Sequence, residues 1–267
     1  MKNRKRFLRA AVLTVIMLLC LAMPASAAGK KNKWVKKSGY WYYYDKNGEK
    51  STGLVKIGSR KYYFDESGKQ RVGWRKIGKY YYKFRQKGKT GAYMLTNVKE
   101  DGITLRKSGR AKLPNQNLKK KAEVLAGYAL WADGFFKTSM TTKQKMNACL
   151  KEIGKFTYRG ANSPVNTKKK VRWDVQSAEL VLKRYNGMSE PYCECYGFAA
   201  GFAYLVNATG IKGVYLDGHR EHAWVRIGDL LYDPTKVYTR NDRTGYFPMI
   251  EENITDYYEA VWSTLIG

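Results

Sequence analysis

Two apolar periods divide the chain. Between residues 34 and 91 the pattern repeats every twenty residues. The first unit starts at Trp34, passes through Trp41-Tyr42-Tyr43-Tyr44-Asp45 and Gly48, and ends at Gly53. The second starts at Leu54 and carries Tyr63-Phe64-Asp65, Gly68 and Gly73. The third starts at Trp74, keeps Phe84 and Gly88, and has Arg85 where the acid stood. Traces of a fourth reach Lys107-Ser108-Gly109. An aromatic-rich strand, a glycine-bearing turn and a second short strand predict a β-hairpin per unit. A hairpin of this length cannot bury its own apolar face, so the units should stack into an all-β hairpin-repeat solenoid over residues 34–110. Leu113-Pro114-Asn115-Gln116-Asn117 breaks the period, and residues 111–117 read as a linker.

From residue 118 to residue 267 the period becomes helical, then alternating. Leu118, Ala122, Leu125 and Tyr128 share one helix face. A second helix follows Thr141, with Gln144 completing a capping box. Its stripe of Met146, Cys149, Leu150 and Ile153 has the i, i+3, i+4, i+7 spacing of a buried face. Asp174 can cap a third helix, with Val175, Ala178, Leu182 and Tyr185 inward and Gly187 as its stop. Tyr196–Ala208 reads as a fourth, closed by Gly210. Strands follow at Ile211–Leu216, Glu221–Ile227 and Leu230–Asp233. Helices first and strands later predict an α+β domain.

The start of the chain changes the setting. Lys2, Arg4, Lys5, Arg6 and Arg9 precede the apolar run Ala10–Ala22, and Ala25-Ser26-Ala27 is a small-residue cleavage site. Residues 1–27 therefore read as a cleaved signal peptide and residues 28–33 as a short basic lead-in, so the protein is expected to be secreted. No later stretch has the ~20 apolar residues of a spanning helix.

Charge is lopsided. Residues 28–121 hold 27 Lys or Arg against 6 Asp or Glu, whereas residues 122–267 hold 18 against 16. The basic half should be drawn to polyanions. In an exported protein the expected partner is a phosphate-bearing wall polymer, another wall glycan or an anionic lipid headgroup rather than nucleic acid.

Three cysteines follow the signal: Cys149, Cys193 and Cys195. The odd number leaves at least one thiol unpaired. Cys149 belongs to a buried helix face, and a Cys149–Cys193 disulfide is the preferred pairing; a Cys193–Cys195 bond that switches the protein off is the alternative. Cys195 stands at a helix start, where exposed N–H groups and positive partial charge favour a thiolate and can hold an oxyanion. Only two histidines exist, His219 and His222. Gly228-Asp229 is a two-residue turn, and with Ile227 opposite Leu230 it puts His222 diagonal to Asp233 on one sheet face. A one-residue slip would part them. His219, in a loop, is the alternative base. A zinc site from Cys193, Cys195, His219 and His222 has suitable ligands but not the usual spacings, so no metal and no cofactor are expected.

These residues carry two resemblances. Cys195-Tyr196-Gly197-Phe198-Ala199, Gly210-Ile211, His222-Ala223-Trp224 and Asp233-Pro234-Thr235 resemble, in order, the pattern of the transglutaminase-like superfamily of papain-related cysteine enzymes. The resemblance implies that fold for residues 118–267, with Cys195 as nucleophile, His222 as base and Asp233 as its orienting partner. Cys193 stands where that family commonly has glycine. The twenty-residue units resemble the cell-wall-binding, choline-binding-type repeats of Gram-positive surface proteins, in which aromatics of neighbouring hairpins hold quaternary ammonium or sugar groups. Trp34, Trp41, Tyr43, Tyr63 and Trp74 are the candidate wall- or glycan-binding aromatics, although most such rings should simply pack together.

The expected function is that of a secreted, wall-associated cysteine enzyme attacking peptide or protein amides through an acyl-enzyme. Whether water or an amine accepts the acyl group stays open. The alternative is a non-catalytic wall adhesion or scaffold protein on the same fold.

Overall fold

The structure, a computed structural model, describes residues 30–86, 91–159, 170–187, 192–219, 222–239, 249–250 and 262–267. The expected signal peptide and residues 28–29 lie outside the described residues, as do Gly88 and the ends of several loops. No helix among the described residues is long and apolar enough to cross a membrane.

The repeats are antiparallel hairpins: β1 (Lys33–Lys37) with β2 (Tyr40–Tyr44), β3 (Gly53–Ile57) with β4 (Arg60–Phe64), and β5 (Gly73–Ile77) with β6 (Tyr80–Gln86). β7 (Ala92–Met94) adds to β6, and β8 (Val98–Glu100), β9 (Ile103–Leu105) and β10 (Ala111–Lys112) make a further sheet. The twenty-residue period is a turn chemistry. Asp45 Oδ1 accepts from the N–H groups of Asn47 and Glu49, and Asp65 Oδ1 accepts identically from Ser67 and Lys69. Each loop then closes through a glycine at positive φ, Gly48 at 84° and Gly68 at 78°, a conformation that disfavours side chains. Arg106 and Gly109 reproduce the backbone bonds of that turn in the β9–β10 connection.

The second half begins with α1 (Gln116–Ala132), whose N-cap Asn115 accepts from the Leu118 N–H at 2.9 Å. α2 (Thr142–Ile153) carries the Thr141/Gln144 capping box. β11 (Thr157–Tyr158) pairs in parallel with β12 (Tyr192–Cys193), flanking α3 (Trp173–Tyr185). α4 (Cys195–Ala208) has buried residues around its whole circumference, as a central helix should. It packs between α1, α2 and α3 and a sheet containing β13 (Val214–Gly218) and β14 (Ala223–Ile227). β15 (Leu230–Tyr232) and α5 (Pro234–Thr239) follow, and β16 (Met249–Ile250) and β17 (Trp262–Leu265) complete the sheet in the order β16-β15-β14-β13-β17. Phe198 and Phe202, fully buried on α4, each stabilise this arrangement by ~1.5–3 kcal/mol through apolar burial.

Several expectations need correction. Residues 111–117 do not separate two bodies: Ala111–Lys112 is strand, Gln116 opens α1, and one apolar core runs from Val72 through Trp74, Tyr128 and Phe202 to Ile266. Gly73 shows how close the halves lie, because a Cβ there would stand 3.0 Å from the Ala129 Cβ. Arg75 adds an ion pair to Asp133 at 2.7 Å. α3 starts at Trp173, so Asp174 lies in its first turn, where Tyr204 donates to it at 3.1 Å. Val181 rather than Leu182 takes the buried place on α3. Tyr185 is 43% exposed and stacks on Trp131 at 3.9 Å. The Cys149–Cys193 disulfide is not formed. Both are buried free thiols, Cys149 on the inner face of α2 and Cys193 on β12 against Gly197.

Candidate functional site

The β14–β15 hairpin pairs Ile227 with Leu230 and Val225 with Tyr232 across the Gly228-Asp229 turn. His222 precedes β14 and Asp233 follows β15, so this register brings the two side chains together. His222 Nε2 and Asp233 Oδ2 are 2.7 Å apart, with both residues buried.

Asp233 has a second task that its neighbours explain. Its Oδ1 accepts from the N–H groups of Thr235 at 3.0 Å and Lys236 at 3.1 Å, which makes it the N-cap of α5. Pro234 fits the first helical position because it has no N–H to leave unsatisfied. An Asp-Pro-Thr segment thus fixes the carboxylate with one oxygen and holds the imidazole with the other. The sequence signal was present, an acid followed by proline, but no helix was expected there.

Cys195 opens α4, and the helix start has no side-chain cap. His222 makes a hydrogen-bond contact with this thiol. With Nε2 committed to Asp233, the ring nitrogen facing sulfur is Nδ1. Burial alone would lower the His222 pKa, but the hydrogen bonds to Asp233 and Cys195 outweigh it and push the pKa up to about 9. Burial pushes Cys149 and Cys193 far up, so they stay protonated.

The His219 ring lies beside this group, 6.4 Å from the His222 ring and 5.6 Å from Trp224 between centroids. The His219 backbone N–H donates to the His222 carbonyl at 3.0 Å, and its own carbonyl accepts from Tyr196 Oη at 2.7 Å. It therefore ties the chain before His222 to the first turn of α4. Tyr158 and Tyr196 also lie near enough to Cys195 for its charge to raise their pKa values, after the larger effect of burial. Tyr196 adjoins Cys195 within the motif, whereas nothing local in the sequence marks Tyr158. Among the described residues no group of three His, Cys, Asp or Glu is arranged to hold a metal ion.

Of the candidate wall-binding aromatics, Trp34 packs against Trp41, Tyr43, Tyr62 and Phe64 at centroid distances of 6.3, 5.2, 4.9 and 5.8 Å. Tyr63 packs on Phe84 at 5.9 Å. Trp74 is 1% exposed and donates its indole N–H to Asp101 at 2.5 Å, so it cannot meet a ligand. Trp34, Trp41, Tyr43 and Tyr63 are half-buried. Other ring faces of the repeats carry the protein's own cations: Lys50 over Tyr42 at 5.1 Å, Lys69 over Tyr40 at 4.8 Å, Arg60 over Tyr93 at 4.2 Å and Arg110 over Tyr80 at 3.8 Å.

The family model of the cell wall binding repeat matches residues 32–50 and 52–69. No curated protein matches the chain. Among solved structures, the choline binding domain of Spr1274 from Streptococcus pneumoniae is 25% identical over 32% of this chain and 99% of its own, with a TM-score of 0.28. The pneumococcal cell wall endolysin from phage Cp-1, solved with choline, is 26% identical over 33% of this chain and 26% of its own, with a TM-score of 0.24. Choline binding protein F from Streptococcus pneumoniae is 26% identical over 31% of this chain and 33% of its own, with a TM-score of 0.19. The chain thus spans about a third or less of the two longer proteins. The N-terminal units are cell-wall-binding repeats of the choline-binding type, which makes this a secreted, cell-wall-associated protein.

Proposed function

We propose that this protein is a wall-attached cysteine enzyme that acts on amide bonds, with Cys195 as nucleophile, His222 as general acid and base, and Asp233 as the group that orients His222. The single observation that supports the reading is the placement of His222, bonded to Asp233 at 2.7 Å on one side and to the Cys195 thiol on the other. On this reading residues 118–267 adopt the transglutaminase-like fold.

The chemistry follows from the groups. The Cys195 thiol gives its proton to His222 and its sulfur attacks the amide carbonyl carbon, while the N–H groups at the start of α4 face the developing oxyanion. The C–N bond breaks, protonated His222 passes its proton to the leaving amine, and a thioester remains on Cys195. Water or an amine then attacks the thioester, with His222 taking the proton, and Cys195 is released. Nothing in this sequence needs a cofactor. Asp233, clamped by its capping bonds, keeps the ring in the tautomer that serves sulfur.

A second reading has its own support. The matched repeats account for wall attachment without any turnover. They therefore favour a wall adhesion or scaffold protein over the enzyme. The two readings differ in a measurable way. The enzyme reading expects cleavage, deamidation or incorporation of a tagged primary amine on a peptide library, read by mass spectrometry, and loss of that product in Cys195→Ala. Full activity in Cys195→Ala would remove Cys195 from its role. A Cys195 that is inert to thiol probes in the reduced, folded protein would favour the scaffold.

For the repeats we infer binding to a polyanionic wall polymer rather than to choline. The basic excess of residues 28–121 and the self-occupied aromatic faces support this.

A further inference from the structure

A cavity of about 60 Å³ opens where the third hairpin meets the end of α4. Its walls carry four cationic side chains: Lys83 and Arg85 from β6, Lys145 from α2, and Lys212 from the segment before β13. Two carboxylates answer them. Asp101 pairs with Lys83 at 2.8 Å and with Lys212 at 3.4 Å, whereas Glu100 pairs with Arg85 at 2.5 Å and also with Lys212. Four positive charges against two negative ones leave a net of two. Among the described residues Lys145 has no ion-pair partner. It rests over the Phe136 ring at 5.3 Å.

We propose that this junction cavity is a binding site for a phosphate group. One water needs ~10–15 Å³, so the space has room for a group of four or five heavy atoms. The Lys83 side chain is only 3% exposed and lies deep, while those of Arg85 and Lys212 are 32% and 39% exposed and reach the mouth. A phosphate entering there meets guanidinium and ammonium donors on more than one side. Burial already pulls the pKa values of Lys83 and Lys145 down, a cost that a bound anion offsets.

The site belongs to both halves of the chain, two cations from the repeats and two from the thiol-bearing half. A bound phosphate would therefore clamp the halves together and stabilise the fold by mass action. The phosphate could be a diester unit of a wall polymer or a free monoester. The site does not rest on the thiol chemistry, and only the polymer source rests on the wall-binding reading.

The test measures thermal melting and calorimetric binding of the full chain in phosphate-free buffer, with inorganic phosphate in one arm and a glycerol-phosphate diester oligomer in the other. We expect saturable binding and a raised melting temperature in at least one arm. Binding of the oligomer alone assigns a polymer diester, and binding of inorganic phosphate alone assigns a free anion. Lys145→Gln should weaken binding at least about tenfold, the loss of one charge-assisted hydrogen bond, and Lys145→Arg should largely restore it. Arg85→Gln gives the same reading if Lys145→Gln fails to fold. No saturable binding in either arm at millimolar concentration, or equal binding by folded Lys145→Gln and Arg85→Gln, would overturn the proposal. Failure here leaves wall attachment by the repeats untouched.

Discussion

His222 Nε2 and Asp233 Oδ2 stand 2.7 Å apart because Asp233 spends its other oxygen on the N–H groups that open α5. The carboxylate cannot swing away without uncapping a helix. Asp233→Asn should therefore preserve the cap while removing the charge that raises the His222 pKa. The pKa should fall from about 9 toward the ordinary histidine value. Alkylation of Cys195 followed against pH checks this: its alkaline limb should move to lower pH, with the neutral-pH rate down by about 10²-fold or more. An unchanged limb would show that Asp233 does not set the imidazole.

The same shift has a sign in stability. The folded pKa of His222, about 9, is above its unfolded value near 6.5, so the stabilisation is fully present below about 6.5 and is lost as pH rises through about 9. Denaturant unfolding of the wild type should weaken between pH 7 and pH 10 by more than that of His222→Gln. A constant gap between the two proteins over that range would count against the paired imidazole.

Gly197 is small for a reason seen across the site. A Cβ at this position would come within 2.7 Å of the Cys193 Cβ and 3.4 Å of Val181. Gly197→Ala gains ~1 kcal/mol of helix propensity, but overpacking costs ~1–3 kcal/mol and forces β12 away from α4. A lower melting temperature and slower Cys195 labelling are expected. A more stable variant with unchanged labelling would mean that β12 yields freely.

How much of this was legible in the sequence depended on sequence distance. The Thr141/Gln144 cap, the Asp45 and Asp65 turns and the Ile227–Leu230 register are set within a few residues, where spacing alone fixes geometry. The His222–Asp233 pairing followed, since a two-residue turn leaves little freedom. The shared core was not legible. Trp74 read as a candidate binding ring of the repeats, because its burial comes from α1 and from chain far along the sequence. The Cys149–Cys193 pairing failed for a related reason: a count of thiols says nothing of the separate pockets that enclose them.

That buried cluster makes a sharp forecast of its own. Asp101 accepts from the Trp74 indole at 2.5 Å and from Lys83 at 2.8 Å, and the two cations beside it hold its carboxyl well below the usual range despite burial. Asp101→Ala leaves Lys83 as an uncompensated buried charge, which costs ~3–5 kcal/mol. Adding Lys83→Met should recover a large part of that loss, because the charge and its partner then leave together. Chemical denaturation of the single and double variants measures both. A double variant no more stable than Asp101→Ala would show that the ion pair itself, rather than the stranded charge, carries the effect.

The repeats give the last forecast. Lys69 and Arg71 approach the Tyr40 ring at 4.8 and 5.5 Å, Lys50 covers Tyr42 at 5.1 Å, and Arg110 lies 3.8 Å from the Tyr80 centroid. Each contact is worth ~0.5–1 kcal/mol at an exposed site, and a quaternary ammonium group would have to displace it before gaining its own. The attraction to a polyanion uses the same cations without displacing them. Millimolar choline should leave the melting temperature unchanged and should not release the protein from isolated walls. Raising the salt concentration should release it, because screening shortens the reach of exposed charges. Lys50→Ala with Lys69→Ala should open the Tyr42 and Tyr40 faces and add a choline response while weakening retention on the wall. Release of the wild type by choline at constant ionic strength would reverse the assignment, making the aromatic faces rather than the lysines the binding surface.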